Sequence, residues 1–380
     1  MKQLKIYFSL VLTLLAFTGS AQQNQFRTAT DWNSILSQAK KENKLIFIDA
    51  YFVGCHPCKQ MEEEVFVLPD VSKQMADNFV NFKIDFFKEP IGKALQIKYA
   101  VTGFPTYLIL NKDGQLISAS GGYQEADKFK KLLSEAVSKS KKGIVLNGFS
   151  TTLKVNHPDF YREMFTGRKF ITKEKLVPYL KGKDLFAEVN AVPLLVSNVS
   201  DQELGDQLIK NYKKLENLYG RNLVWSRVME ILGSRISKDI PAKDDAKFEA
   251  YLTQIKPLFA KEDWPYARLD LAEAHYLNQL KDNKAFFQYA IKNYNDDENK
   301  VRYIGSRLAR PGIALEDKQL YSEWVKLVVH ENSGYDVLVG GVRIMKELNN
   351  AGLTKKYAGW GIKKAQLINK SAKYFESALN

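Results

Sequence analysis

Apolar and polar positions follow two different rhythms along this chain. Up to about residue 140, short apolar runs of strand length are separated by amphipathic stretches; beyond it, apolar positions recur almost entirely at helical spacing. Thr30-Asp31 can cap a helix carrying Trp32, Ile35, Leu36 and Ala39. Leu45 to Tyr51 is short, apolar and partly β-branched, as expected of a strand buried on both faces. Phe52 to Glu62 then reads as a loop turning into a helix, because Pro57 is tolerated only in a first turn, and this sets Cys55 at the helix N-terminus. A strand is predicted over Phe79 to Ile84 and a helix through Ile91, Leu95 and Tyr99. Tyr107 to Leu110 and Gln115 to Ala119 flank Asn111-Lys112-Asp113-Gly114, a hairpin signal, and Phe129, Leu132, Leu133, Ala136 and Val137 mark one face of a closing helix.

Ser138-Lys139-Ser140-Lys141-Lys142 breaks this pattern before Gly143, which predicts a linker and divides the chain at 142/143. Residues 143–380 are predicted to be mostly helical. Representative faces are Tyr212, Leu215, Leu218 and Tyr219; Leu269, Ala272 and Tyr276; Phe286, Tyr289, Ala290 and Tyr294; Leu320, Trp324, Leu327 and Val328; Leu338, Val342 and Met345; and Ile368, Ala372, Phe375 and Leu379. Short connections suggest helix pairs. The stretch Ala267 to Tyr294 is weakly similar to a tetratricopeptide unit, without a clean repeat at that period.

The N-terminus has its own pattern. Lys2 and Lys5 precede an apolar run from Ile6 to Phe17, and Gly19 and Ala21 supply small residues, so residues 1–21 are expected to be an export signal cleaved before Gln22. The run is about a dozen residues against the ~20 a spanning helix needs, and no other segment is apolar enough, so no stable membrane span is expected. With 45% hydrophobic and 26% charged residues, the composition excludes a disordered or polytopic membrane chain. The net charge of +13 is spread over both parts and interrupted by acids such as Asp296-Asp297-Glu298, and no nucleic-acid-binding motif accompanies it.

Only two cysteines occur, Cys55 and Cys58, too few for a disulfide framework and spaced for chemistry rather than stapling. Zinc would need four ligands, and His157, His275 and His330 lie a hundred or more residues away without ligand spacing; no metal or cofactor is expected. A c-type haem would need His after the second cysteine, where Lys59 stands. A helix N-terminus favours the Cys55 thiolate, His56 can add a positive charge or a ring donor, and Cys58 returns one turn later to attack a mixed disulfide.

The order of elements, Cys55-His56-Pro57-Cys58 at a strand-to-helix turn, and Gly103-Phe104-Pro105-Thr106 before a hairpin resemble a thioredoxin domain over residues 26–140. Within that superfamily Cys55 to Glu62, Val65-Phe66 and Pro69-Asp70-Val71 are most similar to the C-terminal domain of periplasmic thiol:disulfide interchange proteins. The resemblance implies a central mixed sheet flanked by helices, a cis Pro105, client docking at Phe104-Pro105, and Asp49 as a buried carboxylate near Cys58. Gly54 stands where the family usually has Trp, and Asn81 where it often has Lys, with Lys83 on the same strand face.

The expected organisation is thus a signal peptide at 1–21, an α/β thioredoxin-like domain at 22–142 and an all-α domain at 143–380. The expected function is that of an exported, most simply periplasmic, thiol:disulfide oxidoreductase. It would exchange electrons with cysteines of exported client proteins and be regenerated by a redox partner. A second reading makes the helical array an interaction scaffold and gives the thioredoxin domain little turnover. The helical part offers no cysteine and no recognisable catalytic group.

Overall fold

Asp31 opens the first helix by accepting the Ser34 N–H at 2.9 Å, and Asn43 closes it in a left-handed conformation (φ 51°). The structure, a computed structural model, describes residues 26–29, 31–308 and 313–379; the export signal expected at 1–21 lies outside them. Helix α1 (Trp32–Glu42) leads into β1 (Leu45–Tyr51), followed by α2 (His56–Gln60), a π-helical turn (Met61–Val65), α3 (Pro69–Asn78), β2 (Phe79–Asp85) and α4 (Pro90–Tyr99). Strands β3 (Thr106–Leu110) and β4 (Leu116–Gly121) form the hairpin, and α5 (Ala126–Lys141) closes the unit. The sheet order is β2-β1-β3-β4, with β1 parallel to β2 and the other two pairs antiparallel. This is a thioredoxin-like sheet flanked by helices. Helix α3 is absent from the sequence expectations because few apolar residues mark it, Val71 and Met75 being the buried ones.

Strand alternation splits β1 between two cores. Ile46, Ile48 and Ala50 face a cluster that runs without interruption into the helical region, through Phe149, Tyr161, Leu176 and Leu194. Phe47 faces the opposite side, with Met61, Val65, Met75, Tyr107 and Phe129. Asp49, two residues on from Phe47, shares that second face, beneath the segment that starts at Cys55.

Residues after 158 are helical, as expected. Two boundaries differ from the sequence reading. The Ser-Lys run at 138–141 is the last turn of α5 rather than a linker, since nothing in it breaks a helix; the connecting segment is 142–158. The Ile368 to Leu379 face is not one helix: the helix Ala351–Leu367 ends at Asn369 in a left-handed conformation (φ 52°), and a short helix, Lys373–Ser377, follows. The tetratricopeptide-like stretch forms a helical pair, Trp264–Gln279 and Asn283–Lys292, with the Tyr276 and Tyr289 rings 5.8 Å apart.

The helical region meets the thioredoxin-like unit along two seams. At the first, buried Lys98 of α4 pairs with Glu188 and donates to Ser150 Oγ at 2.7 Å, while Tyr99, Phe149 and Tyr219 rings contact in series. At the second, Lys370 pairs with buried Glu64, Lys364 lies 3.4 Å from Glu125, and Asn299 donates to the Tyr123 carbonyl at 3.1 Å. Among the described residues no helix is long and apolar enough to cross a membrane.

Candidate functional site

The loop after β1 ends in Gly54, whose φ of +95° is a conformation that side chains with a Cβ rarely adopt. No atom lies within 4 Å of where its Cβ would be, so the position that usually carries Trp in the resembling family is open space. Cys55 is the N-cap of α2, and its sulfur accepts the Cys58 N–H at 3.2 Å. Cys55 and Cys58 are joined as a disulfide with their Cα atoms 5.3 Å apart. Both cysteines line a shallow pocket of about 290 Å³, together with Tyr51, Phe52, Glu62 and Lys83. The Cys58 N–H already points at this sulfur and would stay with a Cys55 thiolate once the disulfide opens.

Asp49 is buried, and neither carboxylate oxygen has a hydrogen-bond partner. Burial raises its pKa to about 7, against the opposing pull of Lys83. The strand register explains that pull, because Lys83 on β2 lies directly beside Asp49 on β1. Desolvation lowers the Lys83 pKa in turn; its ammonium pairs with Glu62 and sits 4.3 Å from the Tyr51 ring centroid. The sheet thus holds a buried carboxyl, its pKa raised to about 7, on the face it shares with Phe47, Met61 and Val65.

The Phe104–Pro105 peptide is cis. Phe104 is half-buried, and its ring meets Phe52 at 5.3 Å and Phe87 at 5.2 Å, both edge-on. Val53 and Phe87 are exposed, so an apolar patch extends from the cysteine loop to the cis-proline loop. The Pro105 carbonyl accepts from Gly122 N at 2.8 Å, which fixes this loop against the end of β4.

His56 is 70% exposed, and its Nε2 lies 3.6 Å from Asp336 Oδ2. The same oxygen accepts from Gln60 Nε2 at 2.9 Å. Asp336 comes from the helix Tyr335–Glu347, so a residue of the helical region stands beside the cysteine motif. Sequence reasoning misses it because a single Asp in the first turn of a helix carries no signal, and 276 residues separate Gln60 from it. Phe87 and Val53 are missed as well, since exposed apolar residues in loops look ordinary until the fold gathers them. Of the remaining histidines two are buried and His330 is exposed. His157 lies against Tyr161, His275 stacks on Phe248 with centroids 4.7 Å apart, and His330 Nε2 is 3.0 Å from Glu298.

Comparison with known proteins points the same way. Residues 32–136 match the family model for a thioredoxin-like domain. The thiol:disulfide interchange protein DsbD of Photorhabdus laumondii is 31% identical over 120 residues, which cover 30% of this chain and 21% of that protein. Thioredoxin-1 of Drosophila melanogaster is 32% identical over 95 residues, 25% of this chain and 81% of that protein. A solution structure of a thioredoxin from Thermus thermophilus aligns with 30% of this chain and 88% of its own at 23% identity, with a TM-score of 0.27. The chain thus spans about a fifth of the interchange protein's length and most of the small thioredoxin's. The pair Cys55/Cys58 in such a domain supports thiol:disulfide oxidoreductase activity.

Proposed function

The chain belongs to the thioredoxin family through its N-terminal domain, and from that premise we propose that it is an exported, periplasmic oxidoreductase exchanging electrons with cysteines of client proteins. The observation that carries this reading is the Cys55–Cys58 disulfide at a helix N-terminus, bordering a pocket beside an exposed apolar patch.

In the reducing direction the Cys55 thiolate attacks one sulfur of a client disulfide. A Cys55–client bond forms, the client S–S bond breaks, and the second client sulfur leaves as a thiolate that takes up a proton. Cys58 gives its proton to the Asp49 carboxylate and attacks Cys55 Sγ. The mixed disulfide breaks, and the first client sulfur leaves and takes up that proton. Two electrons and two protons have moved to the client, and the Cys55–Cys58 disulfide has formed; the reverse sequence oxidises a client dithiol. A redox partner restores the starting state by supplying or removing two electrons. Phe104 and Pro105, with Phe52 and Phe87, receive the client segment around its cysteine, and the helical region selects or positions clients.

The deciding experiment is trapping. Cys58→Ser should accumulate mixed disulfides with clients, and Cys55→Ser should accumulate none; trapping by Cys55→Ser alone overturns the assignment. Export is tested by fractionation and N-terminal mass spectrometry, with a chain beginning at Gln22 in the exported fraction expected and an intact cytosolic N-terminus contradicting it.

A further inference from the structure

We propose that Asp336 is a positioning residue for the redox site, acting through His56: the helical region tunes the Cys55/Cys58 pair by holding the His56 ring beside Cys55. The inference rests on Cys55 being the attacking sulfur. Four observations carry it. His56 directly follows Cys55 and is otherwise open to solvent, at 70% exposure, so its ring would be free to turn away without a partner. Asp336 Oδ2 lies 3.6 Å from its Nε2, at ion-pair distance. Asp336 is itself held in place, because Gln60 donates to that oxygen at 2.9 Å and Arg302 stands 3.8 Å away. It also occupies the first turn of its helix, where a carboxylate meets unpaired N–H groups. The surrounding charges are Arg302 on one side and, across Tyr335, Lys370 with its partners Glu63 and Glu64.

The consequence has a definite sign. With Nε2 held by Asp336, the ring stays beside Cys55, where its other nitrogen can donate to the Cys55 thiolate. A stabilised thiolate favours the dithiol and makes the pair more oxidising. Removing Asp336 should therefore raise the Cys55 pKa and make the pair more reducing. A carboxylate that acted only through space would do the opposite, since its negative charge opposes a nearby thiolate. The two routes are told apart by direction alone.

The experiment uses the full-length chain and five proteins: wild type, Asp336→Asn, Asp336→Glu, His56→Gly and the double variant. Each is equilibrated with glutathione redox buffers, and the Cys55 pKa is read from thiolate absorbance. Asp336→Asn should shift the equilibrium constant toward the disulfide by about two- to fivefold, or roughly 9 to 21 mV at 29.6 mV per tenfold; the shift is modest because water screens so exposed a histidine. His56→Gly should shift it the same way, and adding Asp336→Asn to His56→Gly should change nothing further. Asp336→Glu, which restores the charge, should recover most of the wild-type value. An unchanged potential in Asp336→Asn, a shift toward the dithiol, or an equal shift in the His56→Gly background each overturns the proposal. The underlying reading fails separately, by a wild-type chain that exchanges no disulfides or by trapping at Cys58 instead of Cys55.

Discussion

The two seams between the helical region and the thioredoxin-like unit are built from different materials. The α4 seam is a closed interface, with Lys98 and Glu188 buried together and aromatic rings packed around them. The seam at the cysteine motif is a network of carboxylates and lysines around Glu64, Glu125 and Glu298, reaching His56 at its outer end through Asp336. Their titrating groups are set in opposite directions. Burial lowers the pKa of His157 at the first seam to about 4 and raises that of Glu125 at the second to about 7. One seam is architectural and the other is chemically responsive, so the same two parts of the chain can be held together at one place and adjusted at another.

The largest expected effect lies in the closed seam. Glu188→Ala leaves the Lys98 ammonium buried without its partner and should cost about 3 to 5 kcal/mol in denaturant unfolding, while the glutathione equilibrium of the folded protein stays at its wild-type value. A large change in potential would erase the distinction between the seams.

Next in size is Asp49, which belongs to neither seam. Its folded pKa, about 7, is raised above the ordinary aspartate value of 3.8. Its stabilising contribution is therefore complete below the unfolded value and lost as pH rises through about 7. Asp49→Asn should make the disulfide form more stable than wild type by about 2 to 4 kcal/mol at pH 8 and bring little gain at pH 4. The same variant should slow resolution of a mixed disulfide by about a hundredfold at neutral pH. Urea unfolding at both pH values and stopped-flow reduction of a small disulfide would read the two effects.

The titrating groups of the seams sharpen the contrast further. Glu125 follows the same sign as Asp49, so Glu125→Gln should stabilise by about 1 to 2 kcal/mol at pH 8. His157 has its folded pKa depressed from 6.5, so its stabilising contribution is present above 6.5 and lost as pH falls through about 4. Replacing it by Leu should stabilise by about 1 to 2 kcal/mol at pH 4.5. Hydrogen exchange read by mass spectrometry should show the α4 seam loosening in acid and the cysteine-side seam in mild base; loosening of both at the same pH would contradict the assignment. The smallest effect is expected for Gln60→Ala, about 1 kcal/mol in stability for the loss of its hydrogen bonds to the Asp336 and Glu64 carboxylates, measured by thermal unfolding.

The sheet and most of the cysteine site were legible from local signals. Leu45 to Tyr51 reads as a buried strand because both of its faces are covered, and Asp113-Gly114 announces the hairpin because only a tight turn joins two such runs. Cys55 and Cys58 stand out by spacing, and the resemblance supplies Pro105 and Asp49. What the sequence withheld depends on chain segments far apart in number. The Lys83 beside Asp49 follows from register between two strands, the Phe52–Phe104–Phe87 contacts from three loops converging, and the Asp336–His56 contact from the docking of a helix whose own pattern announces only its buried face. The end of the helix at Asn369 was missed because apolar spacing continues across a residue whose backbone turns left-handed.

The separation between Gln60 and Asp336 also sets a sequence in time. Their hydrogen bond spans 276 residues, and at roughly 5 to 20 residues per second the ribosome takes on the order of tens of seconds to cover that distance. The cysteine motif therefore exists well before its outer partner does. A nascent chain, or one clipped ahead of Asp336, carries both sulfurs without the carboxylate beside His56, so only a docked C-terminal region completes the surroundings of the first cysteine.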